Sequence, residues 1–319
     1  MNLMKYRLVF LGIFLATMAA SLVAVFALGL NKGIDFTGGT VIRYPLTGEE
    51  YNKISSDQVK NLLTSGSLAE LRLKPGAPQP YTQRDITSGK DIYGVIIKMR
   101  ALKGFAEQKA VLDVLNGHFG KTVVRDRLQI NMVDPAIGRE VVKNAFLAVL
   151  IASVLIMAYI AFRFELKSGV AGVVALLHDA LFILGVFAVL RKEISSSIIA
   201  AVLTIIGYSI NDTIVVFDRI RENMRNRRKD QTFDALVNES ILQTMRRSLN
   251  TSATTVMAIL VLYLVGSESI KEFCLALVVG ITSGTYSSIF IASPVWAIWR
   301  NWEERRHQAR LRPATAAGK

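Results

Sequence analysis

One cysteine, three histidines and seven prolines in 319 residues exclude several kinds of protein at once. Cys274 has no second thiol, so no internal disulfide can staple the fold, and its apolar surroundings mark it as a packing residue. No Cys/His group has metal-ligand spacing. No G-x-x-x-x-G-K-[ST] loop is present, so ATP is not a direct energy source. Acidic residues are also scarce: 25 against 38 basic ones, a formal charge of +13. In a soluble chain that excess would point to nucleic acid. Here the basic residues fall between long apolar runs, where they set membrane topology and meet anionic lipid head groups, and no nucleic-acid partner is expected.

What is abundant is apolar sequence, 51% of the chain. Crossing roughly 30 Å of hydrocarbon takes about 20 apolar residues in a helix. Six runs have that length, at about 8–30, 141–162, 168–190, 194–217, 248–266 and 273–299. The first, preceded by Lys5 and Arg7, resembles a signal peptide with Val25-Phe26-Ala27 as a passable cleavage site. Signal cores are shorter, about 7–15 residues, so an uncleaved anchor is expected. Arg163 and Lys167, the basic 218–247 connection and the basic tail 300–319 lie on one side of the membrane. The positive-inside rule makes that side cytoplasmic, with both termini inside. Arg219–Lys229 could lie on the membrane surface as a helix or serve only as a topology determinant.

Residues 31–136 form the one long polar stretch and would lie outside. Strand-like runs (Thr40–Tyr44, Ile92–Met99, Thr122–Ile130) alternate with helical patterns (Ser56–Leu63, Phe105–Phe119), and Pro75-Gly76 with Pro78 to Pro80 mark a loop. The fold expected is an α-helical polytopic membrane protein of six spans, with a small α+β, ferredoxin-like external domain between spans 1 and 2. The segments are 1–30, 31–136, 137–299 and 300–319.

Charges inside spans are costly and rarely without a role. Asp179, beside His178, lies in the third span; Asp212 lies in the fourth; Arg247 opens the fifth. Thr204, Tyr208 and Asp212 share one helix face at four-residue spacing, as do Arg247, Thr251 and Thr255, with Thr254 beside them. If these stripes face each other, Asp212 can pair with Arg247 or be neutral. Burial favours the neutral acid and a nearby guanidinium favours the carboxylate. A group held between those pulls can load and release a proton. The alternative is a static ion pair, and for His178 and Asp179 a satisfied helix–helix contact. Gly280 and Gly284, with Gly207, allow close helix contact, and Ser195–Ser197 form a turn and cap. An aspartyl protease of the membrane is disfavoured, because its Tyr-Asp and Gly-x-Gly-Asp pairs are missing.

Several segments resemble the SecD/SecF family of translocation accessory proteins, relatives of the proton-driven RND exporters. They are Gly33-Ile34-Asp35-Phe36-Thr37-Gly38-Gly39-Thr40, Ala175 to Asp179, Gly207 to Asn223, Arg247 to Ser252 and Gly284 to Pro294. About 105 external residues fit the SecF type. The resemblance implies a non-enzymatic subunit of the bacterial inner membrane. It would join SecD, act with SecYEG and YajC on an emerging preprotein, and use the proton motive force; no cofactor is implied beyond protons, or sodium in their place. It assigns proton relay to Asp212, Arg247 and Thr251, and a secondary polar site to His178, Asp179, Tyr208 and Thr255. Gly33, Asp35, Phe36, Gly38 and Gly39 become a structural signature joining span to domain. A passive scaffold and half of a small-molecule exporter are the rival readings.

Overall fold

A computed structural model of the chain describes residues 2–46, 55–76, 78–84, 91–119, 128–228, 230–266 and 268–311. Among these, six helical stretches are long and apolar enough to cross a membrane: Leu3–Leu28, Pro135–Arg163, Leu166–Val189, Ser196–Arg225, Phe233–Val265 and Ile270–Arg306. The first is α1 (Arg7–Val23), ending in a wide π turn at Ala24–Leu28. The next four are α5 (Pro135–Arg163), α6 (Leu166–Val189), α7 (Ser196–Arg225) and α8 (Phe233–Val265). The last combines α9 (Glu268–Ser287), a π turn at Ser288–Ala292 and α10 (Ser293–Leu311).

Between α1 and α5 lies the polar domain. Its elements are β1 (Asn31–Lys32), α2 (Ile34–Thr37), β2 (Gly39–Leu46), α3 (Ser56–Thr64), β3 (Gln79–Arg84), β4 (Asp91–Met99), α4 (Gly104–Phe119) and β5 (Gln129–Val133). From β2 onward this is the βαββαβ order, and the antiparallel sheet runs β3-β4-β2-β5, the split-βαβ arrangement of ferredoxin-like domains. Ile42, Tyr44, Val95 and Ile97 on the sheet bury against Val59 and Leu63 of α3 and Val111 and Leu115 of α4. Pro80, expected in a loop, is the second residue of edge strand β3, where a missing N–H does not interrupt the sheet interior. The strand expected from Thr122 begins at Gln129; residues 121–127 lie outside the described residues.

The helices start where their caps are. Asp134 accepts from the Ala136 N–H at 2.7 Å with Pro135 in the first turn of α5, and Thr232 accepts from Ala235 N–H at 3.2 Å at the head of α8. The basic connection expected over 218–247 is mostly helix: α7 runs to Arg225 and α8 begins at Phe233. The apolar run was shorter than the helix because Ser240, Thr244 and Ser248 continue the buried face of α8 in polar form. Arg219 to Arg225 extend α7 and do not form a separate surface helix.

The helical body buries α6, α7 and the last span most deeply. Trp296 packs edge-on against Phe217 at 5.0 Å and Phe233 at 5.9 Å between ring centres. Small residues set the closest crossings. A Cβ at Gly280 would stand 2.3 Å from Ile205 Cδ1, at Gly284 2.9 Å from Ser209 Cβ, and at Gly185 2.5 Å from Ser21 Oγ. Gly207 is different: among the described residues nothing lies within 4 Å of where its Cβ would stand.

Candidate functional site

The polar centre of the helical body is built around Asp179, which is 1% exposed. Its Oδ2 accepts from Ser209 Oγ of α7 at 2.8 Å and from Ser287 Oγ of α9 at 2.7 Å. Its Oδ1 accepts from Ser283 Oγ at 2.7 Å and lies 3.2 Å from His178 Nδ1. A carboxylate offers about four acceptor sites, and each has a partner here. His178 Nε2 stands 3.0 Å from Thr17 Oγ1 of α1, and its ring lies between Phe14 and Phe182. Side chains from α6, α7 and α9 thus meet at one acid, and α1 joins them through His178. Gly284 makes this possible, because α9 approaches Ser209 and Asp179 over its bare backbone.

Asp212 lies on α7, one residue beyond the Asn211 that faces outward, and is 6% exposed. Its Oδ2 is buried without a hydrogen bond, and so is Ser248 Oγ on α8. Ser248 and the charge of Arg247 are the α8 groups that bear on this carboxylate. Among the described residues no ion pair joins Asp212 to Arg247, so the static pair is not formed. Arg247 is exposed and lines a cleft of about 440 Å³ with Tyr159, Arg163, Asp218, Arg219 and Thr244. The reason is helix phase: Ser248, one residue on, takes the inward position, and Arg247 is turned towards the cleft.

The two stripes do meet higher up. Tyr208 Oη and Thr255 Oγ1 are 3.2 Å apart, joining α7 to α8. Thr251 hydrogen-bonds back to the Arg247 carbonyl at 2.9 Å and is exposed. Thr204, Asn211, Thr251 and Thr254 are all exposed in mid-helix. The residues that the sequence did not single out are Thr17, Ser209, Ser248, Ser283 and Ser287. Ser283 and Ser287 were detectable as an i, i+4 hydroxyl pair around Gly284; Thr17 carried no signal at all.

The signature segment sits at the junction of domain and helices. Gly38 and Gly39 adopt φ of +70° and +148°, and a Cβ on Gly38 would stand 2.5 Å from Pro135 Cα. Gly33 has an ordinary φ of −67°; its need is space, since a Cβ would fall 2.9 Å from Glu193 Oε1. Phe36 packs on the helical body.

Six apolar spans, a split-βαβ domain after the first, and buried acids on the third and fourth define a class of multi-pass membrane protein. The profile described as "Protein export membrane protein SecD/SecF, C-terminal" matches residues 116–302, and the "SecD/SecF GG Motif" profile matches 23–48. The protein translocase subunit SecF of Alicyclobacillus acidocaldarius is 39% identical over 88% of this chain and 86% of its own length. The protein translocase subunit SecDF of Thermus thermophilus is 39% identical over 90% of this chain, which spans 36% of that protein. A crystal structure of SecDF from Thermus thermophilus, described as a translocon-associated membrane protein, superposes with a TM-score of 0.78 at 35% identity, over 94% of this chain and 39% of that one. The chain belongs to the SecD/SecF family of protein export membrane proteins, on its SecF side.

Proposed function

We propose that this chain is the SecF-type half of a proton-driven accessory complex of the Sec translocase in a bacterial inner membrane. Asp212 is the residue that takes up and releases the proton. The observation that carries this reading is the orphaned Asp212 Oδ2, buried in a span beside Ser248 and close to the cleft that holds Arg247. A buried acid without its full set of partners is held poorly in either charge state, so small movements of α7 against α8 change which state is favoured. Arg247 supplies the countercharge when it swings inward from the cleft. Thr251, whose hydroxyl now bonds the Arg247 carbonyl, supplies the adjacent polar step.

The SecD half is the partner that completes the unit. Thr204 and Asn211 on α7 and Thr251 and Thr254 on α8 are polar side chains exposed in the middle of helices long enough to span. Polar groups in hydrocarbon are stabilised by hydrogen bonds across helices, so a second helical body fits this face better than lipid does. The split-βαβ domain lies on the periplasmic side, with both termini in the cytoplasm, and acts on the preprotein leaving SecYEG; YajC is a further member of the assembly. One proton crossing about 100 mV releases roughly 2.3 kcal/mol, enough to bias a domain movement between two states. His178 and Asp179 are the fixed polar anchor about which α7 and α8 shift, because all acceptor sites of Asp179 are filled.

Asp212→Asn tests the reading. The variant should assemble with SecD in normal amount and fail to restore secretion in a strain lacking the native subunit. Full secretion from Asp212→Asn would end the proton reading and leave a passive scaffold. Replacing the proton gradient by a sodium gradient in proteoliposomes decides between the two ions.

A further inference from the structure

Helix α7, which carries Asp212, does not cap itself. Ser195 stands at its N-cap position with extended backbone, but makes no side-chain bond to the helix; its Oγ meets Ser197 Oγ at 2.8 Å. The serine run is therefore a turn without the expected cap. The missing acceptor comes from Asp35, 161 residues earlier in the chain. Its Oδ2 accepts from the Ser196 backbone N–H at 2.8 Å and from Ser196 Oγ at 2.6 Å. An acid at this place satisfies an otherwise orphaned N–H and complements the positive end of the helix.

Asp35 is itself tied to the domain. It lies in α2, one residue before Phe36 and three before Gly38, where the chain turns into the central strand β2. Around it the junction is closed by the Gly33 N–H donating to the Ile194 carbonyl at 2.8 Å, by the parallel bridge of β1 to β6 (Glu193–Ile194), and by the ion pair of Lys98 on β4 with Glu193. Of these links Asp35 alone reaches α7 itself.

We propose that Asp35 is a coupling residue: its carboxylate, carried on the domain side, caps α7 in trans, so that the βαββαβ domain and α7 move as one body. A shift of α7 at Asp212 is then passed to the domain without a loop between them. That consequence rests on the proton reading above; the coupling itself does not.

The test uses the full chain in lipid nanodiscs, with Cys274→Ala and spin labels at Lys109→Cys on α4 and Arg225→Cys at the far end of α7, both exposed. The measurement is the distance distribution between them. The unmodified chain and Asp35→Asn, which keeps an acceptor oxygen, should give the same narrow distribution. Asp35→Ala should broaden it, with the undocked population rising about fivefold for loss of a typical cap. Ser196→Pro should broaden it equally, since proline is tolerated at the first position of a helix yet removes both donors. The Asp35→Ala/Ser196→Pro double variant should be no broader than either single one. A narrow distribution in Asp35→Ala or Ser196→Pro overturns the proposal. So does an Asp35→Asn distribution as broad as that of Asp35→Ala, which would mean that the charge, or an ion held by it, matters and the cap does not. If Asp35→Ala does not assemble, Ser196→Pro decides alone. No secretion assay enters, so a failed proton reading and a failed coupling give different results.

Discussion

Asp179 and Asp212 are both buried acids, one bonded to α7 and the other carried on it, yet their surroundings differ. Three serine hydroxyls and a histidine close around Asp179, from two other helices and its own neighbour. Asp212 keeps an oxygen with no partner, opposite a serine hydroxyl that also has none. Burial alone does not separate an anchor from a working group; the number of filled acceptor sites does. A fully bonded acid resists movement because any shift breaks several hydrogen bonds together. A partly bonded one can shift at small cost, since it has little to lose.

The comparison can be broken at several points. The largest expected effect is Asp179→Ala, which leaves three buried hydroxyls without their acceptor and should cost about 3 kcal/mol or more. Thermal unfolding in detergent would read this as a large fall in Tm; an unchanged Tm would remove Asp179 as anchor. Gly280→Ala comes next, because the added methyl meets Ile205 and forces α9 away from α7. About 1–3 kcal/mol is expected by the same assay. Tyr208→Phe removes one hydrogen bond between α7 and α8 and should cost about 0.6 kcal/mol, with Thr255→Val giving no additional loss. Asp212→Asn should change Tm least of all, while abolishing secretion. A large loss of stability there would place Asp212 in the same category as Asp179.

The domain offers a control that titrates separately. Hydrogen bonds from Arg100, at 2.9 and 3.1 Å, and from the Lys103 N–H hold the Glu107 carboxyl below its usual range. A depressed acid stabilises the fold above its unfolded value, about 4.3, and loses that contribution as pH falls through the folded one. Acidification below about pH 4.3 should therefore loosen the domain. Arg100→Gln should remove the larger part of that pH dependence and leave the part due to the Lys103 N–H, as monitored by amide exchange in α4.

The sequence made the large features legible. Apolar run length settled the six spans, and alternating periodicities marked three of the four sheet strands and both helices of the domain; β3 was hidden, because Pro78 and Pro80 read as a loop. Helix ends were less visible, since the first fourteen residues of α8 carry a buried face made partly of serine and threonine. Whether Asp212 pairs with Arg247 was left open by the sequence for a similar reason. Four-residue spacing finds a shared face but not which way that face turns, and one residue of phase put Ser248 inward and Arg247 in the cleft. His178 and Asp179 were visible as polar residues in a span; of their partners only Ser283 and Ser287 left a trace, as a hydroxyl pair at four-residue spacing, and that spacing does not separate bonding from packing. The Asp35 cap lay beyond reach, its two partners being separated by 161 positions.

The π turn at Ser288–Ala292 can be restated as an angle. Each residue of an α-helix advances by about 100°, so one extra residue in a turn offsets everything after it by that amount. Ser283 and Ser287, before the turn, point at Asp179, while Trp296, after it, points at Phe217 and Phe233. The last span is in effect two rulers joined out of phase, one read by the polar centre and one by the aromatic cluster. Deleting a single residue within the turn would bring the rulers into phase, and the two clusters could no longer be satisfied by the same helix.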